Sequence, residues 1–275
     1  MYSDFETLAV RKSDGVAWIT FDNGELNLLD MSLVGEMVRL ADLLEADDEV
    51  RVMVFQSANP DYFLSHAHFP LLQDFRDQGA YDSEEMPLYS GLLEKFRRMP
   101  KASIAKIEGR ARGGGAEFAM AMDMCFAAEG KGMLSQMEII IGILPGGGAA
   151  AYLARKLGRA RAMEICLGGG DFEAALAAEY GYINRALPAD ELDGFVEELA
   201  TRIASYAPEA IARNKAAVNL MEDDRQADFI ANNRLFRDLV KGQDFDRRVE
   251  LFLAQGGETR AGELADWKNW AERLR

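Results

Sequence analysis

The chain is 275 residues long and carries 46 acidic against 31 basic side chains, a formal charge of −15. Nucleic acids and anionic membrane surfaces draw on a basic face, so this balance argues against both as partners. At 49% apolar and 28% charged, the composition is that of a folded soluble protein with one large domain, or a domain and an appendage.

The first ten residues include Asp4 and Glu6 and no apolar run, so no signal peptide is expected. Residues 16–21 and 50–55 are short, β-branched and aromatic, and predict strands. Between them Leu33, Met37, Leu40 and Leu44 recur at helical spacing behind Asp30, a good N-cap. A helix is predicted over 83–98, stopped by Pro100, then a strand over 103–108, a glycine turn at 113–115 and a helix over 116–124. The longest apolar stretch, 139–154, is broken by Pro145 and four glycines and is too short to span a bilayer.

From Asp190 onward the pattern is helical, over 191–206, 208–221 and 226–241, with Pro208 at a helix start where its missing N–H is not needed. Near the end Trp267, Trp270 and Leu274 place apolar groups at helical spacing. The strand–helix alternation predicts an α/β core over residues 1–190 and a helical region over 191–275. Cys125 and Cys166 cannot staple a chain of this size and suit a reducing cytoplasm. The only histidines are His66 and His68, so any Ser-His or Cys-His mechanism would have to run through that spot.

Gly113, Gly114 and Gly115 stand between a predicted strand and a predicted helix, where backbone can approach a ligand and the helix aims unpaired N–H groups into the loop. A dinucleotide site is a poor reading, because the G-x-G-x-x-G spacing is absent. The loop has company. The run Gly113 to Met120, the Gln136-Met137-Glu138 triplet with Gly142 to Gly148, and the upstream block Asn59 to Phe69 occur in the order and form that resemble the crotonase superfamily, the enoyl-CoA hydratase/isomerase group. Asn27-Leu28-Leu29-Asp30 resembles that family's early coenzyme A loop, and residues 158–162 and 179–188 resemble its later landmarks.

The resemblance implies a ββα superhelix core with a C-terminal helical oligomerisation region, and coenzyme A thioester chemistry through an enolate. An enolate oxygen needs preorganised N–H donors; by the family pattern these are the backbone amides of Ala67 and Gly114. The family's two acids fall on Glu117 and Glu138, and apolar neighbours such as Phe118 and residues 139–141 would raise a glutamate's pKa. Leu26, Leu28, Ser65, His66, His68, Gly113, Pro145 and Gly146 are the expected substrate-binding positions. The resemblance further implies a homotrimer or a dimer of trimers.

His66 departs from the pattern, which has glycine there, and His68 stands where aspartate is common. A role for His66 in the shape or polarity of the acyl pocket is favoured over acid–base chemistry. With no third Cys or His to complete a set, no metal is expected. No cofactor is expected either, since coenzyme A belongs to the substrate. Water addition to a 2-enoyl-CoA is the leading reaction, with double-bond isomerisation, thioester hydrolysis and decarboxylation as alternatives. A non-catalytic acyl-CoA-binding module is the alternative of another class. Finally, residues 95–112 hold seven basic side chains against Glu108, and Arg110 and Arg112 beside the glycine loop are expected to meet phosphates or to buffer the two acids.

Overall fold

The computed structural model describes residues 2–220, 226–264 and 270–274, so Trp267 and Met221 lie outside the described residues. The chain opens with strands β1 (Leu8–Ser13) and β2 (Val16–Phe21), helix α1 (Met31–Ala46) and strands β3 (Val52–Ser57) and β4 (Tyr62–Leu64). Helices α2 (Phe69–Asp77) and α3 (Leu88–Arg98) follow, then β5 (Ala102–Ile107), β6 (Arg110–Arg112), α4 (Gly114–Ala121), β7 (Met124–Ala128) and β8 (Met133–Ser135). After a 3₁₀ turn at Glu138–Ile141 come α5 (Ala149–Leu157), α6 (Arg159–Gly168), β9 (Phe172–Glu173), α7 (Ala174–Tyr180) and β10 (Arg185–Leu187). The rest is helical among the described residues: α8 (Leu192–Ala204), α9 (Pro208–Asn219), α10 (Gln226–Val240), α11 (Gln243–Ala254) and α12 (Arg260–Leu264), followed by a short turn of helix at Trp270–Arg273.

Six strands form one sheet in the order β1-β2-β3-β5-β7-β10, parallel except for the β1–β2 hairpin. A second sheet, β4-β6-β8-β9, stands beside it. The parallel strands are covered on both faces, which is why they read as nearly continuous apolar runs. Ala17, Ile19, Phe21, Met53, Phe55 and Ile107 face α1 and α4, whereas Val16, Trp18, Val52, Val54 and Ile104 alternate onto the face covered by Leu192, Val196 and Ala200 of α8. The helical region therefore shares its cores with the α/β region. Phe118 sits at the middle of the first core, edge-on to Phe21, Phe55 and Phe96.

Local chemistry accounts for most element ends. The Asp30 carboxylate accepts the Leu33 N–H at 2.9 Å and starts α1 as expected. The predicted helix over 83–98 begins only at Leu88, since the residue before Pro87 is pushed away from helical backbone. The helix expected over 116–124 runs earlier, and Met122 is already extended before β7. Strand β1, not anticipated from its composition, is paired by the Asp14–Gly15 turn, where both residues hold positive φ (51° and 79°) as a tight hairpin requires.

Two long-range contacts place the site. Gly115 in the first turn of α4 lies against β4 so closely that a Cβ there would sit 2.1 Å from the Leu64 carbonyl oxygen, and its N–H donates to Ser65 O at 3.1 Å. The C-terminal helices bring Phe236, Val240, Phe245, Val249 and Phe252 onto Phe69, Met137, Ile140 and Ile143, a separate apolar cluster that walls the site from the far side.

Candidate active site

A cavity of about 360 Å³ opens between α4, the 65–69 loop, α2, α3 and α10. Of the positions expected from the sequence, Glu117, Glu138, Ala67, Gly114, His66 and Gly146 lie on its wall. Leu26, Leu28, Ser65, His68, Gly113 and Pro145 are not part of that wall, and Leu29 takes the place expected for Leu28. Ser65 is fully buried and serves through its backbone, bonding Asn27 O and Gly115 N–H. Gly113 lies just behind the wall with φ +48°, in a gap where a Cβ would come within 3.0 Å of Glu138 Oε1 and 3.1 Å of His66 Cβ. The Pro145 carbonyl accepts the Asn232 side-chain N–H, which ties the loop to α10.

Leu29 and Ala67 form an isolated parallel bridge, through Leu29 N–H to His66 O at 3.0 Å and His68 N–H to Leu29 O at 3.1 Å. In this register the Ala67 N–H has no acceptor among the described residues. Gly114 opens α4, so its N–H has no acceptor within the helix and is one of the orphan donors at a helix start. Both residues line the cavity. The Tyr89 hydroxyl donates to Gly114 O at 2.7 Å and braces the start of α4.

Glu117 is in the first turn of α4 and fully enclosed. Its Oε2 accepts the Gly147 N–H and its Oε1 the Ala149 N–H, each at 2.9 Å. Burial raises its pKa to about 7 even against these bonds. Glu138 opens the 3₁₀ turn, is buried, and its Oε2 has no hydrogen-bond partner among the described residues. Burial, reinforced by the charge of Glu117, holds its carboxyl well above the ordinary range. One cavity thus holds an acid biased toward the protonated form and a second that ionises near neutrality, as acid–base work on a single substrate needs.

Around them the wall is apolar, from Leu71, Leu72, Phe75, Tyr81, Leu88 and Phe236 among others. Tyr89 and Phe236 were not anticipated. Tyr89 falls in a helix whose start was misplaced, and Phe236 comes from the C-terminal region, more than 100 residues beyond the glycine loop.

The basic strip does not approach this cavity as expected. Arg112 is completely buried, and its guanidinium grips Asp171 at 2.9 and 2.6 Å and the Glu263 carbonyl at 2.5 Å. Lys95 pairs with Asp42 and Glu45, Arg97 with Glu94, and Lys106 with Glu108 and Asp193. Residues close in sequence are dealt to different faces of α3, β5 and β6: Lys101 bonds the Leu44 and Asp47 carbonyls, and Arg110 on β6 is not part of the cavity wall. The two histidines do not converge on a shared centre either. His66 bonds Glu263 and His68 bonds Glu258.

A mixed α/β fold with a carboxyl pair facing a helix-start glycine loop defines the crotonase fold class, and similarity to solved structures agrees. The chain superposes with TM-score 0.91 on the structure of a candidate enoyl-CoA hydratase from Streptomyces avermitilis, 35% identical over 98% of both chains. It superposes with TM-score 0.80 on an enoyl-CoA hydratase from Mycobacterium avium subsp. paratuberculosis K-10, 26% identical over 90% of this chain and 99% of the other. A protein of Rhizobium meliloti named "Probable enoyl-CoA hydratase" is 31% identical over 255 residues, 91% of this chain and 96% of that protein. The family model for enoyl-CoA hydratase/isomerase matches residues 11–259, and the chain belongs to that family.

Proposed function

We propose that the protein adds water across the conjugated double bond of a 2-enoyl-CoA thioester. The observation that carries this reading is the pairing of Glu117 and Glu138, both buried on one cavity wall with different partners and different proton affinities. The thioester oxygen is taken by the Ala67 and Gly114 N–H groups, which stabilise it as an enolate. Ionised Glu117 accepts a proton from the water that attacks C3, and protonated Glu138 delivers its proton to C2. The acyl chain lies along the apolar wall toward Phe75, Tyr81 and Phe236. The reaction needs no metal and no cofactor beyond the coenzyme A of the substrate.

The assembly proposed is a homotrimer or a dimer of trimers in the cytoplasm. Its support is α9, a helix with no buried residue, which with the next residue exposes Val218 and Leu220. No helix among the described residues is long and apolar enough to cross a membrane.

The test is a panel of short, long and branched 2-enoyl-CoA esters, followed by loss of the conjugated thioester absorbance. Turnover is expected, and Glu117→Gln and Glu138→Gln should each lower kcat by about 10²–10⁴-fold with little change in KM. No turnover on the whole panel, with tight acyl-CoA binding, would replace the enzyme reading by a binding module. Double-bond migration that survives Glu117→Gln but not Glu138→Gln would replace hydratase by isomerase.

A further inference from the structure

His66 stands on the cavity wall, yet its ring is among the most enclosed polar groups in the protein, at 1% exposure. It lies flat on Phe69, with ring centres 4.4 Å apart and planes 13° from parallel. Nδ1 is 2.8 Å from the carbonyl oxygen of Ala67, and Nε2 is 3.0 Å from Glu263 Oε1. A carbonyl oxygen can only accept. Glu263 Oε1 also takes the Glu258 N–H at 3.1 Å, and Oε2 faces the Arg112 guanidinium at 3.4 Å, so this carboxylate is surrounded by donors. Both ring nitrogens therefore have to donate, and a neutral imidazole has one N–H where this site demands two.

Glu263 comes from α12, nearly 200 residues beyond His66 in sequence. The same C-terminal turn supplies Glu258, which accepts the Phe69 N–H at 2.7 Å and bonds His68 at 2.7 Å while holding an uncommon φ of +57°. Two carboxylates of one short segment thus clasp both histidines of the chain. Arg112 continues the network to Asp171, so along it the signs alternate, Glu263 negative, Arg112 positive and Asp171 negative; on the ring itself the Glu263 charge acts first and the Glu258 charge second.

The consequence bears on Ala67. Its Cα sits between two peptide units, and both are pinned: the His66 carbonyl accepts the Leu29 N–H, and the Ala67 carbonyl accepts the His66 ring N–H. We infer that His66 is a permanent imidazolium, held charged by Glu263, and acts as a positioning residue that fixes the Ala67 N–H and adds positive charge beside the enolate oxygen. With both of its N–H groups given to Ala67 and Glu263, the ring has no proton to pass to a substrate, so it is neither general acid nor general base. The direction of its proton affinity agrees: burial lowers the pKa of the ring, the Glu263 carboxylate raises it, and the net shift is upward. The catalytic part of this inference rests on the oxyanion-site reading above; the charge state of His66 does not.

The chain has only two histidines, so a protein labelled with ¹⁵N-histidine gives the signals of two rings, and His68→Gln assigns them. Both nitrogens of His66 are expected to stay protonated at pH 8, and the ring to become neutral there in Glu263→Gln. A second measurement uses 4-(dimethylamino)cinnamoyl-CoA, whose absorption moves to longer wavelength as its thioester carbonyl is polarised. That shift should shrink in Glu263→Gln and in His66→Gln, with kcat/KM on a turned-over enoyl-CoA down by about tenfold to a hundredfold and Kd for free coenzyme A unchanged. His66→Gln serves alone if Glu263→Gln does not fold. A neutral His66 in an active wild-type enzyme overturns the inference and leaves the hydratase reading intact, as does an undiminished shift with full activity in either variant. A charged His66 in a protein that neither hydrates nor polarises enoyl thioesters refutes the hydratase reading and the catalytic part of the inference together.

Discussion

The N–H of Gly147 donates to Glu117 Oε2 at 2.9 Å, and a Cβ on that glycine would stand 2.5 Å from the same oxygen and 2.9 Å from Tyr89 Cδ1. The loop that orients the Glu117 carboxyl can approach it only because position 147 has no side chain. Gly147→Ala is therefore expected to displace the Glu117 carboxyl or the Tyr89 ring while leaving the sheet untouched. A misplacement of this size costs on the order of 10²-fold in kcat. Steady-state kinetics, with circular dichroism to show a retained fold, checks it. Gly115→Ala is the contrast, since its Cβ would meet main chain at Leu64 that cannot rotate away, and loss of soluble folded protein is expected.

The pH dependence follows from which group titrates first. Glu138 is pushed higher than Glu117, partly by the charge that Glu117 acquires, so the first proton leaves the pair near pH 7 and comes from Glu117. The proposed hydration needs Glu117 ionised and Glu138 protonated. The rate constant kcat/KM should fall about tenfold per pH unit below 7 and hold above it until Glu138 ionises. A profile flat from pH 5 to 8 would refute the assignment of Glu117 as base.

The same burial has a cost in stability. The folded Glu138 keeps its proton where the unfolded carboxyl, near its ordinary value of 4.5, has lost it. The folded state then binds more protons than the unfolded one, so this group's contribution is favourable below about pH 4.5 and is lost as pH rises toward its folded value. Glu138→Gln carries no such penalty and keeps an oxygen to accept the bond from the residue's own N–H. Its Tm is expected to exceed that of the wild type by a few degrees at pH 8, and the gap to close near pH 4.5. Calorimetry at the two pH values measures this.

Asn27 holds the loop ahead of α1 in a left-handed conformation, φ +50°. Its side chain, fully buried, accepts the Asn23 N–H at 2.7 Å and donates to Ser57 Oγ at 2.8 Å and Phe63 O at 3.1 Å. Asn27→Ala strands these partners and places a less tolerant residue at positive φ. A loss of about 2–4 kcal/mol in unfolding free energy is expected from urea titration.

Much of the cavity wall was legible because its chemistry is local. The strand–glycine–helix punctuation around Gly113 to Glu117 and the turn that opens at Glu138 are each set by a few neighbouring residues. Their resemblance to a known family carried them to the cavity that the structure forms. The alternation of strands and helices was readable for the same reason, since a parallel sheet covered on both faces leaves unbroken apolar runs such as 16–21.

The partners of charged groups were not legible, because a side chain's neighbour is chosen by how distant elements pack. Arg112 is two residues from Gly114 in sequence, yet β6 turns its guanidinium toward Asp171 and α12. His66 looked like a foreign residue in a glycine position. Only the return of Glu258 and Glu263 from the far end of the chain shows what the ring is bonded to. The opening charge count excluded a broad basic face. The tertiary structure decided where internal charges such as His66, Glu263, Arg112 and Asp171 meet, since burial makes an unpaired charge costly and the fold brought these a counterpart.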